Sequence, residues 1–348
     1  MQIIVNPHRG KPGFAGPGIP APSVEAGAVA MLLAQCPAHA ATPLVEAPDL
    51  ARRAGVATLW VKDERGRMGL GSFKALGAAH VIARDAVASG SADPATALAG
   101  RTYVTASAGN HGMSVAAGAR VFGARAVIYL SETVPQRFAD RLAAKGAEVV
   151  RAGQIYEDSM LAAAEAARAN GWELLSDSSW PGYTERPHRL MEGYLQLVAE
   201  ALDACTPTHV FVQAGVGGLA AAVAALVRAR LGDAPQITVV EPEAAPAIFA
   251  SLQAGHFVTT EGPVSAMGRL DCKEASLIAL EGLARDADRA MLITEDEVQA
   301  LMPAMAEAGL AGSESGIAGV AGLIALAMAG HSPGPNARVL CFLTEGVA

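Results

Sequence analysis

Residues 69–77 read Gly-Leu-Gly-Ser-Phe-Lys-Ala-Leu-Gly, with Lys74 the only charged residue among them. Ahead of them, Thr58-Leu59-Trp60-Val61-Lys62 has the composition of a strand and Asp63 to Met68 that of a polar turn. Behind Lys74, an apolar run from Ala75 to Ala83 has helical spacing. A cation at the start of a helix meets the positive end of the helix dipole, which is unfavourable. The placement makes sense for a reacting amine, because desolvation and nearby positive potential favour its neutral, nucleophilic form. The expectation is therefore a neutral Lys74. A lone lysine is otherwise a solvated surface charge, so the reading depends on the rest of the chain.

Outward from this stretch the chain alternates. Strands are expected at 102–105, 126–130, 148–151 and 173–175, each but the last followed by a helix, and a long helix is expected from Tyr183 to Ala204. A second alternation follows, with strands at 210–213, 237–241, 290–293 and 338–343 and helices at 218–231, 245–254, 276–283 and 295–308. Strands separated by helices of crossover length imply parallel sheets covered on both faces, so the expected fold is α/β with two open, parallel-type sheets. Residues 1–22, rich in Gly and Pro, read as an arm wrapped over the surface, and Gly316–Gly330, apolar on all sides, reads as a buried helix.

Composition narrows the function. A chain of 348 residues, 51% hydrophobic and 17% charged, has the length for two cores or one large sheet with an inserted lobe. A net charge of -8 without basic runs argues against nucleic acid and against an anionic membrane surface as partners. Residues 26–41 imitate a signal core, but they follow Glu25 and lack a basic region immediately upstream. Four scattered cysteines (Cys36, Cys205, Cys272, Cys341) without a CxxC pair fit a reduced, cytoplasmic protein, and no metal site is expected.

Open sheets bind ligands beyond the carboxyl ends of their strands. Besides the Lys74 turn, two such loops carry chemistry. Ser107-Ala108-Gly109-Asn110-His111-Gly112 joins a strand to a helix, where backbone amides and a hydroxyl form an anion cradle and Asn110 offers a neutral donor. Gln213-Ala214-Gly215-Val216-Gly217-Gly218-Leu219-Ala220 does the same with glycines that admit a phosphate. This second loop has a rival reading: Gly215, Gly217 and Ala220 fit G-x-G-x-x-A, and Glu241 ends the next strand where a dinucleotide's ribose carboxylate would stand.

Taken in order, the Ser-Phe-Lys turn, the Ser-x-Gly-Asn-His-Gly loop and the distant glycine loop resemble the fold-type II pyridoxal-phosphate enzymes. That group includes the serine/threonine dehydratases and the tryptophan synthase β chain. A closer resemblance, to the diaminopropionate ammonia-lyases, is carried by Thr42-Pro43-Leu44-Val45, Val61-Lys62-Asp63-Glu64 and Phe73-Lys74-Ala75-Leu76-Gly77. Further along it is carried by Asp177-Ser178-Ser179-Trp180-Pro181-Gly182-Tyr183, Gly268-Arg269-Leu270-Asp271-Cys272, Ser313-Glu314-Ser315-Gly316 and Leu343-Thr344-Glu345-Gly346.

The resemblance implies pyridoxal 5'-phosphate bound between two lobes. It implies a large cofactor domain of residues 1–76 and 179–348, a small inserted domain of 77–178, and a homodimer. Lys74 is implied as the residue that binds the cofactor covalently and moves protons at Cα. Asp177 and Glu314 are the spare carboxylates, either of which is implied as acid or base for the leaving group, Asp177 with the better family match. Gly215, Val216, Gly217, Gly218 and Leu219 are implied to hold the phosphate through main-chain N–H groups, Asn110 the pyridine hydroxyl, and Thr344 the ring nitrogen. A hydroxyl at the ring nitrogen leaves the ring unprotonated, which favours loss of a β group over long-lived carbanion chemistry. Ser107, Ala108, Gly109, His111 and Glu314 are implied on the substrate side.

Where the ammonia-lyases have Thr-Asp-Gly-Asn-His-Gly, this chain has Ala108 in place of the aspartate. The implied reaction is α,β-elimination on a small β-substituted amino acid such as 2,3-diaminopropionate, giving a 2-oxo acid and ammonia. A hydroxyl leaving group, as in a serine/threonine-type dehydratase, is the alternative within the class. A β-replacement synthase and a non-catalytic cofactor-binding protein are the alternatives outside it.

Overall fold

The computed structural model describes residues 2–347. In chain order the strands are β1 (Gln2–Val5), β2 (Leu44–Glu46), β3 (Thr58–Asp63), β4 (Thr102–Ala106), β5 (Arg125–Leu130) and β6 (Glu148–Arg151). They continue with β7 (Glu173–Leu174), β8 (His209–Gln213), β9 (Gln236–Pro242), β10 (Arg289–Ile293) and β11 (Arg338–Leu343). They form a seven-stranded sheet in the order β1-β10-β9-β8-β11-β3-β2 and a four-stranded sheet in the order β6-β5-β4-β7. Every pairing is parallel except at the two edges of the large sheet, where β1 and β2 run antiparallel to β10 and β3. The small sheet is made entirely of residues 102–174, inserted between β3 and β8.

The α/β fold with two sheets agrees with the alternation read from sequence. Its central strands are buried over most of their length, and β4, Thr-Tyr-Val-Thr-Ala, throughout, which is why they read as runs without polar alternation. The edges depart from expectation. The arm begins as strand β1, and Leu44 to Glu46, where no strand was expected, form strand β2. Both are short and lie at sheet edges, where half-exposed residues leave little apolar alternation to read. Beyond β1, Asn6 donates from Nδ2 to the carbonyls of Ala284 (2.8 Å) and Ala287 (2.7 Å), which fixes the arm to a helix end.

The long helix expected over 183–204 is divided at Tyr194 into helices Glu185–Gly193 and Leu195–Ala204. The first of them ends in close approach to its neighbour: a side chain at Gly193 would stand 2.5 Å from the carbonyl oxygen of Leu76. Helix Glu314–Met328 is buried from Ser315 to Leu326, as its apolar composition predicts.

One apolar core packs helices Lys74–Ala88, Asn110–Val121 and Gly218–Leu231 together and reaches both sheets, with Ile82, Tyr103, Ile128, Val198, Val223 and Ile237 all fully covered. A second core fills the other face of the large sheet under helix Glu314–Met328. A third lies between the small sheet and helix Tyr156–Asn170. Among the described residues no helix is long and apolar enough to cross a membrane.

Candidate active site

Each distinctive loop leaves the carboxyl end of a strand: the Lys74 turn follows β3, Ser107–Gly112 follows β4, Asp177 follows β7, Gly215–Leu219 follows β8, and Thr344 follows β11. The parallel pairing brings these ends to one side of each sheet. Backbone bonds then stitch the loops together. Phe73 N donates to Thr344 O (3.1 Å), Gly346 N to Gly71 O (3.3 Å), and Ser276 N to Val216 O (2.9 Å).

Lys74 opens helix Lys74–Ala88 as expected, but it is not neutral. Its ammonium donates to the Asp177 carboxylate, and the side chains are 22% and 18% exposed. Burial pulls the Lys74 pKa down, yet the adjacent carboxylate outweighs it and holds the amine above the ordinary lysine range. Burial likewise pushes Asp177 up, and the Lys74 charge outweighs that, leaving it below the usual carboxylate range. The expectation of a neutral amine is corrected here: the sequence showed the cation but not that Asp177, 103 positions away, faces it.

The loop after β4 closes tightly on itself. A Cβ at Gly112 would stand 2.2 Å from the Ser107 carbonyl oxygen, so only glycine fits. Ser107 Oγ accepts from Gly109 N (3.3 Å). Among the described residues, the N–H groups of Asn110, His111 and Gly112 at the start of their helix donate to no protein acceptor. His111 is buried and its Nε2 donates to Leu175 O (2.8 Å). Burial lowers its pKa, which favours the neutral imidazole. Its ring thus ties the loop to the end of β7. Ala108, half-buried, packs on the main core.

Asn110 donates from Nδ2 to Glu345, whose other oxygen accepts from Ser313 Oγ. The carboxylate set beside Asn110 is therefore Glu345. Glu314, expected on the substrate side, makes no hydrogen bond or ion pair with any of these groups among the described residues. It stands in the first turn of its helix, where a carboxylate complements the dipole. Arg269 was also missed. Its Nη1 lies 3.0 Å from where a Cβ on Gly109 would stand, its Nε is 3.8 Å from Glu345 Oε2, and its guanidinium is 6.0 Å from the Phe138 ring. Both residues lie in motifs quoted above. A charged residue directly after a buried strand, and an arginine amid an apolar turn, were the available signals.

The glycine loop opens helix Gly218–Leu231, with Gly217 at φ +93°. Among the described residues the N–H groups of Gly215, Gly217, Gly218 and Leu219 have no protein acceptor, while that of Val216 faces the Cys272 sulfur. Unpaired amides converging on the positive end of a helix are a donor set suited to a phosphate. Thr344 is buried, and its Oγ1 accepts from Gln213 Nε2 (3.2 Å). The rival dinucleotide reading fails at Glu241. That carboxyl is 1% exposed and accepts from Ile248 N (2.9 Å) and Phe249 N (2.7 Å). It caps the next helix, with burial raising its pKa to about 8. No ribose can reach it.

This fold, with a lysine turn and a glycine-loop phosphate cradle, defines a pyridoxal-phosphate dependent enzyme. The chain belongs to that family, which it matches over residues 36–345. It is 35% identical over 276 residues to the diaminopropionate ammonia-lyase of Escherichia coli K12, covering 75% of this chain and 69% of that protein. It is 31% identical over 258 residues to the human serine dehydratase-like protein, covering 73% and 72%. The crystal structure of the E. coli diaminopropionate ammonia-lyase in complex with an aminoacrylate-PLP azomethine reaction intermediate superposes with a TM-score of 0.85, at 31% identity, over 99% of this chain and 93% of that one.

Proposed function

We propose that this enzyme catalyses α,β-elimination on a small β-substituted amino acid such as 2,3-diaminopropionate, releasing a 2-oxo acid and ammonia. The observation that carries the reading is the Lys74–Asp177 pair, within electrostatic reach of His111 on one amide cradle and of Tyr194 against the other. The likeness to the ammonia-lyase of E. coli supports an amine as leaving group.

In this reading Lys74 anchors the cofactor, the amides of residues 215–219 hold its phosphate, and Asn110 and Thr344 meet the polar atoms of its ring. When bound, pyridoxal phosphate withdraws electrons from the substrate's Cα, so that the Cα proton can be removed and a group can leave from Cβ. A free Lys74 amine beside the Asp177 carboxylate is a strong base, because the carboxylate stabilises the ammonium formed when it takes the Cα proton. The pair then holds a proton that Asp177 passes to the departing β amine. Ser107 and the free amides of residues 110–112 receive the substrate carboxylate, with the Arg269 guanidinium supplying positive charge above Gly109.

Within this reading the cofactor domain comprises residues 1–76 and 179–348 and the small domain 77–178. Four free cysteines suit a cytoplasmic, reducing compartment. A homodimer is the proposed assembly, with Met31, 70% exposed on the helix following the arm, as a candidate contact.

The test is to supply the purified holoenzyme with 2,3-diaminopropionate, serine and O-acetylserine, without an added nucleophile, and to measure 2-oxo acid and ammonia. Fastest release from diaminopropionate is expected. Turnover that starts only when a thiol or amine is added would replace the reading with a β-replacement synthase.

A further inference from the structure

Tyr194 lies at the break between helices Glu185–Gly193 and Leu195–Ala204 and is 2% exposed. Its hydroxyl is fully buried and, among the described residues, has no hydrogen-bond partner. Buried hydroxyls are almost always paired, since an unpaired one forfeits its bonds to water. The ring is held firmly. It meets the Phe73 ring edge-on at 4.9 Å between centroids. Its Cε1 is 2.8 Å from where a Cβ on Gly77 would stand, and its Cε2 is 3.7 Å from the corresponding point on Gly218.

Those two ring carbons flank the carbon that bears the hydroxyl. The hydroxyl therefore sits between the first turn of helix Lys74–Ala88 and the first turn of helix Gly218–Leu231, whose amides are also unpaired. Lys74 and Asp177 are close enough to act on it electrostatically, but they bond to each other and not to it. A rigid, orphaned donor beside a set of orphaned amides has one economical explanation: all of them await the same acceptor.

We propose that the Tyr194 hydroxyl donates a hydrogen bond to the cofactor's phosphate, adding a side-chain donor to the cradle beside Gly218. This rests on the reading of residues 215–219 as the phosphate site. Tyr194 is thus a positioning residue, holding the phosphate end of the cofactor while Lys74 holds the other.

The test compares the full-length Lys74→Ala chain with the Lys74→Ala, Tyr194→Phe double variant, so that binding is non-covalent in both. Dissociation constants are measured by equilibrium dialysis for pyridoxal 5'-phosphate and for pyridoxal, which lacks the phosphate. Losing a hydrogen bond to a charged group should weaken pyridoxal phosphate binding about tenfold or more while leaving pyridoxal unchanged. The thermal midpoint without cofactor should be unchanged or higher in the double variant, because the hydroxyl has no partner to lose.

Equal losses for both ligands would move the hydroxyl's acceptor to the ring and overturn the proposal. So would no loss for either, or a lowered midpoint without cofactor. Failure of the underlying reading looks different: the Lys74→Ala chain itself would then bind pyridoxal as tightly as its phosphate ester.

Discussion

Lys74 and Asp177 show how far a single residue can be understood without its partner. The turn singled out Lys74, and the motif 177–183 singled out Asp177, but the charge state follows only from their contact. With Lys74 raised and Asp177 depressed, the pair's stabilisation is present above the carboxylate's unfolded pKa and is lost as pH falls through the depressed value. At the other limit it is lost as pH rises through the raised value of Lys74, so it is intact at neutral pH. An ammonium cannot attack a carbonyl, so covalent capture of the cofactor should accelerate with rising pH. Asp177→Asn removes the main group that opposes burial and so lowers the Lys74 pKa. Capture at neutral pH should then be faster and less pH-dependent, followed as the rise of the visible absorbance band, while turnover falls by about a hundredfold or more. Slower capture in the variant would contradict the electrostatic assignment.

Ala108 carries a second prediction at this scale. Removing the Cα proton from either enantiomer needs a base on each face, and a methyl group supplies none. Asp177 is committed to Lys74, so a strong preference for one configuration, L, is expected from initial rates with each pure enantiomer. Ala108→Asp should raise the rate on the other, and comparable rates in the parent enzyme would refute the argument.

At the scale of elements, helix starts do most of the functional positioning, and glycines decide their geometry. The glycine loop was legible as an anion site because its residue types and its place between strand and helix are local properties. Which glycine serves packing and which serves the ligand was not, because that depends on distant neighbours. At Gly217 a Cβ would stand 2.8 Å from Ile248 Cδ1 and 3.0 Å from the Ala279 Cβ, with φ at +93°. At Gly218 the nearest atom, Met191 Cγ, is an ordinary 3.4 Å away. Gly217→Ala should therefore cost about 1–3 kcal/mol of stability through overpacking. Gly218→Ala should cost no more than ~1 kcal/mol, as substitutions free of such clashes do. Urea unfolding of the two variants separates them, and equal losses would mean that the helix start relaxes around either methyl group. The same dependence on neighbours hid Glu345 and Arg269: both sit in recognisable motifs, yet their meeting with Asn110 and Gly109 joins residues far apart in the chain.

For the whole molecule, the alternation of strands and helices made two sheets legible, but not how their cores join. The largest core is continuous. Ile82 and Ile128 from the inserted region belong to the same cluster as Val198, Val223 and Ile237 from the large-sheet region. Tyr194 extends this continuity into the site, touching Phe73 on one side and approaching Gly218 on the other. Two lobes with separate cores would melt separately, whereas a shared core couples them. The prediction is one calorimetric transition whose van't Hoff and calorimetric enthalpies agree. Cofactor binds the assembled site and not the unfolded chain, so excess pyridoxal phosphate should raise that single midpoint, by about 2.7 kcal/mol of stabilisation at a hundredfold excess over the dissociation constant. Ile128→Ala in the small sheet and Ile237→Ala in the large sheet, both fully buried, should lower it together, each by roughly 2–5 kcal/mol. A second transition that responds to Ile128→Ala alone, and not to cofactor, would show that the inserted sheet folds independently of the site it helps to build.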